Sequence, residues 1–92
     1  MDNLTRHAVT RMQQRGIRAE TVEILLVCGA EKHDHRGATI RYFDKHSRQR
    51  LHDQFGPVQL KKIDGQLDAY AVVGEEGLVL TVGHRTKRIN RH

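Results

Sequence analysis

The sequence predicts an α+β domain, with two N-terminal helices packed on a four-stranded, mainly antiparallel sheet. Three observations carry this. The first thirty residues hold apolar side chains at helical spacing between capping residues, and from Ala38 onward short runs alternate in the manner of strands. The separators between the last runs, Asp64-Gly65 and Gly74-Glu-Glu-Gly77, are short enough for hairpins. At 92 residues the chain is one domain, residues 1–92, able to bury roughly 60–65% of its unfolded surface. Helices would lie on one face of the sheet, leaving the other to meet a ligand.

The first helix is expected over about residues 5 to 15, with Thr5 as N-cap and Gly16 as the left-handed residue that ends it. A second runs from Ala19 to Val27, acids early and Gly29 after its end, with Val22, Leu25 and Leu26 on one face. From Glu31 to Gly37 the sequence is polar, and Ala38 to Phe43 alternates as a strand does. Asp44 to Gln54 sets Lys45, His46, Arg48, Arg50 and His52 around Leu51 alone, which fits a basic loop or a short exposed helix. Gly56-Pro57 punctuates the chain, and Val58–Ile63, Leu67–Val73 and Leu78–His84 read as strands.

Lys and Arg outnumber Asp and Glu by 16 to 11, a formal net charge of +5 that favours an acidic partner such as nucleic acid. The lone cysteine, Cys28, has no disulfide partner and sits in an apolar run as a small buried side chain. No segment is long and apolar enough to span a bilayer, so a soluble, reduced, cytoplasmic protein is expected. There is no internal repeat and no flexible linker.

His7, Arg11 and Arg15 stand four residues apart, on one face of the first helix. A second cluster, His84-Arg85-Thr86-Lys87-Arg88, ends the last strand. A solvated surface is the competing explanation for both. By strand alternation His84 shares the side of Leu78, Leu80 and Val82, the core face, unless a bulge at Gly83 shifts the phase; unshifted, it is a hydrogen-bonded structural histidine.

The motif His7-Ala-x-x-Arg-Met-x-x-Arg-Gly16-Ile, a second helix ending at Gly29, and Leu80-Thr-Val-Gly-His-Arg-Thr-Lys-Arg88 together resemble a family of small bacterial domains. That family is similar to the superfold of barnase, the EndoU nucleases, the tRNA-cutting colicins and the RelE and ParE toxins. The resemblance covers both chain ends, about two thirds of the residues, and nothing in Asp44–Pro57. It implies a RelE-like fold and RNA cleavage that needs no metal and no cofactor, although ParE-like members act on gyrase; likeness of fold is not likeness of chemistry.

Metal-free RNA cleavage needs a base for the 2′-OH, an acid for the leaving oxygen, and cations for the charge that develops on phosphorus. On this resemblance His7 and His84 are expected as the acid/base pair, with Arg11 and Arg15 completing the catalytic set. Arg41, Arg48, Arg50, Arg85, Lys87 and Arg88 are expected to bind the nucleic acid. Tyr42, Tyr70 and Phe43 could stack on bases or belong to the core. The alternative is a non-catalytic basic module that binds nucleic acid or protein, including a non-nuclease toxin held by an antitoxin. A metal reading rests on His33-Asp34-His35, with His46 and His52 as further ligands, and is weak because no second cysteine exists.

Overall fold

Thr5 turns the chain into α1 (Arg6–Arg15), its hydroxyl accepting the Ala8 N–H at 3.1 Å, and Gly16 closes the helix at φ 65°. In this computed structural model residues 3–34, 36–63 and 65–85 are described. α2 (Ala19–Cys28) follows, burying Thr21, Val22, Ile24, Leu25 and Cys28. Then come β1 (Ala30–His33), β2 (Thr39–Tyr42), α3 (Lys45–Lys62), β3 (Ala69–Val73) and β4 (Val79–His84). The strands form one sheet in the order β1-β2-β3-β4, each antiparallel to its neighbour. The fold class is the predicted one. The element list differs from the expected one in three places.

The polar run from Glu31, where no strand is expected, opens in β1, an edge strand whose exposed Glu31 and His33 alternate with half-buried residues. An edge strand exposes much of itself to water and carries little apolar signal. Lys45 to Gln54 is helical behind the N-cap Asp44, and the run expected as a strand, Val58–Ile63, is the second half of the same element, α3, with Ile63 as its C-cap. Leu60 and Ile63 turn inward three residues apart while Val58 is 71% exposed, the helical spacing that an alternating reading of this short run misses. The hairpin expected between two strands here does not form, because the element before β3 is α3.

α3 is two helical pieces meeting at Gly56, whose φ of 75° and ψ of 176° break the backbone ladder. Pro57, lacking an N–H, starts the second piece where none is needed. The first piece opens on a capping box. Asp44 accepts from the Ser47 N–H at 2.7 Å, and the Ser47 hydroxyl accepts from the Asp44 N–H at 2.7 Å. Asp44→Ala is expected to cost about 1 kcal/mol in urea unfolding.

Leu51 and Ile63 from the α3 region join Val22, Leu25, Phe43, Val79 and Val82 in one core. The core residues of β3 and β4 lie on one face: Ala69, Ala71 and, half-buried, Val73 on β3, with Val79 and Val82 on β4. A register shift reconciles the spacing of the last two. Val72 pairs with Thr81 but Val73 with Val79, so Leu80 is the extra residue of a β-bulge. The bulge is at Leu80, not Gly83; it leaves Leu78 and Leu80 exposed and sets Val79, Val82 and His84 toward the helices.

The N-terminal segment borders β4 through a parallel Leu4–Val79 bridge, and the Thr5 hydroxyl donates to the Leu80 carbonyl at 3.0 Å. No helix among the described residues is long and apolar enough to cross a membrane.

Candidate nucleic-acid interface

Ala8 is the residue of α1 that is fully buried, and His7 and Arg15 project into solvent beside it with Arg11 half-buried between them. The Arg11 Nε donates to His7 Nε2 at 3.4 Å and its Nη1 to the side-chain Oε1 of Gln14 at 3.3 Å. α1, Arg-His-Ala-Val-Thr-Arg-Met-Gln-Gln-Arg, contains no carboxylate. Among the described residues neither Arg11 nor Arg15 has an acidic partner. His7, Arg11 and Arg15 thus lie along one side of α1, as their spacing predicts.

His84 is held at the far end of the same helix. Its Nδ1 lies 2.8 Å from Asp68 Oδ1 and its Nε2 3.0 Å from the Arg15 carbonyl oxygen. Both partners only accept, so both ring nitrogens donate, and only the imidazolium does that. The Asp68 carboxylate, opposed by partial desolvation and helped by the Arg15 carbonyl, accordingly raises the His84 pKa above its usual value. From His7 to Arg15 is eight residues, about 12 Å of helix rise. The structure does not bring the expected acid/base pair together: His7 stands in the first turn of α1, and the His84 ring is held at Arg15, its last residue. His84 has the structural place that alternation without a shift at Gly83 assigns it.

The same logic governs several arginines. Helix C-termini leave carbonyl oxygens without partners, at the negative end of the helix dipole. His84 covers the end of α1. Arg50 Nη2 donates to the Cys28 carbonyl at 3.0 Å and Arg41 Nη1 to the Gly29 carbonyl at 3.2 Å, covering the end of α2. Arg18 donates to the Lys62 carbonyl at the end of α3. Arg41 also pairs with Glu31 at 2.8 Å. Arg85 donates to the Phe43 carbonyl at 2.9 Å, with its guanidinium carbon 5.6 Å from the centre of the Tyr42 ring.

Of the residues expected to bind nucleic acid, Arg41, Arg50 and Arg85 thus each donate to a backbone carbonyl of the chain itself. Arg48 is exposed on α3, and Lys87 and Arg88 lie outside the described residues. His35 of the metal reading is outside them too. Its neighbour Asp34 accepts the N–H groups of Arg36 and Ala38 at 2.8 and 3.1 Å, which closes the β1–β2 turn and holds its carboxyl below the usual carboxylate range, the Arg36 N–H foremost. No group of three His, Cys, Asp or Glu side chains is placed to hold a metal ion among the described residues.

Sequence reasoning missed Asp68 and Gln66. Gln66 closes the α1–α2 turn: its amide nitrogen donates to the Gly16 carbonyl at 2.6 Å, and its oxygen accepts from the Arg18 N–H at 3.1 Å and from the Thr21 hydroxyl. Asp68 directly precedes Ala69, the residue paired with His84, so the signal that could find it is the β3–β4 register. No protein-family model matches this chain, and no curated protein or solved structure does.

Proposed function

We propose that this protein is a basic RNA-binding module that grips the phosphate backbone along the exposed face of α1. The observation that carries the reading is the stripe of Arg11 and Arg15 on a ten-residue helix without a carboxylate, neither guanidinium neutralised by an acid among the described residues. Arginine suits the role because its planar fork meets two phosphate oxygens at once. His7, hydrogen-bonded to Arg11, adds a third donor to the stripe. A cytoplasmic location is part of the same reading.

The test is binding of a short single-stranded RNA, followed by fluorescence anisotropy between about 50 and 200 mM salt. Arg11→Gln with Arg15→Gln keeps helix propensity nearly constant. The double variant is expected to bind about tenfold more weakly at low salt, with a log–log salt slope shallower by roughly 1.4, the loss of two phosphate contacts to a single strand. Absence of binding by the wild-type protein, or unchanged affinity in the folded variant, would sink the proposal.

Metal-independent cleavage is a second reading, favoured by one feature. The Asp68 carboxylate on Nδ1 orients His84 as a carboxylate orients a catalytic imidazole, and Nε2–H rests on a carbonyl from which a leaving oxygen would have to recruit it. Incubation with total tRNA in EDTA decides this: intact tRNA leaves binding alone. Whether an antitoxin covers the stripe is answered by co-purification from the source cell.

A further inference from the structure

We infer that the sheet face turned away from the helices carries a stacking site for an unpaired base of single-stranded RNA, with the Tyr70 ring as its platform. This rests on the RNA-binding reading above and adds to it a second contact of different chemistry. The site is built by the register of the strands. Ala30, Tyr42, Tyr70 and Gly83 form one row across all four strands, and Lys32, Ile40, Val72 and Thr81 the next. These eight positions share the face opposite Ala69, Ala71 and Val82, the face on which the helices pack. The two rows hold a cation, Lys32, and no carboxylate, which suits an anionic chain and repels an acidic protein surface.

Of the four aromatic residues, three are already committed. Phe43 is buried in the core, Phe55 packs against it, and Tyr42 is 4% exposed with the Arg85 guanidinium over its ring. Tyr70 remains, half-exposed at the middle of the open face. Its orientation is set by Gly83, the residue paired with it on β4. A Cβ built on Gly83 would stand 2.8, 2.9 and 3.0 Å from Tyr70 Oη, Cζ and Cε1. The phenol oxygen and two ring carbons at nearly equal distances from that point set the hydroxyl end of the ring face-on over the glycine, so the ring leans across β4. The glycine thus receives one side of the Tyr70 tip and leaves the other side turned away from it. An aromatic face accepts any base by stacking, which is sequence-tolerant because every base has a π-face.

The test uses the full chain with a short single-stranded RNA carrying one 2-aminopurine. Wild-type protein is expected to change the 2-aminopurine emission on binding, and a 4-thiouridine RNA of the same length is expected to cross-link on β3 at Tyr70. Tyr70→Leu is expected to bind about tenfold more weakly with an unchanged salt slope, since no phosphate contact is lost, and Tyr70→Phe to bind as wild type. Gly83→Ala, which lifts the ring from its seat, should behave like Tyr70→Leu.

If wild-type protein binds RNA with the expected salt slope but neither the emission nor the cross-link involves Tyr70, the stacking site is wrong and the α1 grip stands. If wild type binds no RNA, both fall. A shift of oligomeric state by Tyr70→Leu in sedimentation equilibrium, with RNA affinity unchanged, would assign the face to a second copy of the chain and overturn the proposal. The cross-link and emission on wild-type protein decide the matter even if the variants do not fold.

Discussion

Replacing His84 by alanine is expected to lower the melting temperature by roughly 10 °C at about pH 6 and by much less at high pH. The imidazolium makes two hydrogen bonds, to Asp68 and to the Arg15 carbonyl, and carries its positive charge to the negative end of α1. A charge-assisted pair of this kind with a helix-end cation is worth about 2 kcal/mol. The folded-state pKa of His84 is raised above its unfolded value of about 6.5. More protons are then bound by the native state than by the unfolded chain across the interval between the two values. The stabilisation is thus fully present below the unfolded pKa and is lost as pH climbs through the folded one. Thermal melts of wild type, His84→Ala and Asp68→Asn across that interval check it: both variants should flatten the pH dependence, and parallel wild-type and variant curves would refute the assignment.

Leu51→Ala is expected to be the more damaging substitution, costing about 3 kcal/mol. Leu51 is fully buried and is the one buried apolar side chain within α3, so it holds that element to the core. In urea the midpoint should fall with little change in slope. The measurement also separates the observed helix from a solvated basic loop over the same residues. In such a loop the substitution would act within about 0.5 kcal/mol, as surface changes do.

How far the sequence carries depends on whether a signal is local. Thr5 and Gly16 mark α1 because capping uses the residues adjacent to the helix, and both boundaries agree with the structure. β2, β3 and β4 are legible from alternation, and the β3–β4 turn from Gly74 and Gly77. β1 is not, because its side chains serve an edge. α3 is obscured by Gly56-Pro57, which reads as an end and is a kink, although Asp44-Lys-His-Ser47 carries a capping-box signature. At the site, helical spacing gives the His7–Arg11–Arg15 stripe. It cannot give the separation of His7 from His84, which depends on where β4 meets α1. Nor can it reveal that Arg41 and Arg50 are occupied, because their partners are backbone carbonyls and no residue type announces those.

The covering of helix ends by cations has a consequence for divergence among descendants of this chain. At Arg15 and Arg48 a lysine would keep the charge that the proposed anionic ligand would meet, and little else would change. At Arg18, Arg41, Arg50 and Arg85 the guanidinium reaches across to a carbonyl of another element, and a compact ammonium lacks its planar fork. Descendants that abandon the ligand should therefore drift to lysine or to neutral residues at the first pair while retaining arginine at the second four. A tally of basic residues across such a lineage would barely move, whereas the ratio of arginine to lysine at each position would record which cations serve architecture and which serve recognition.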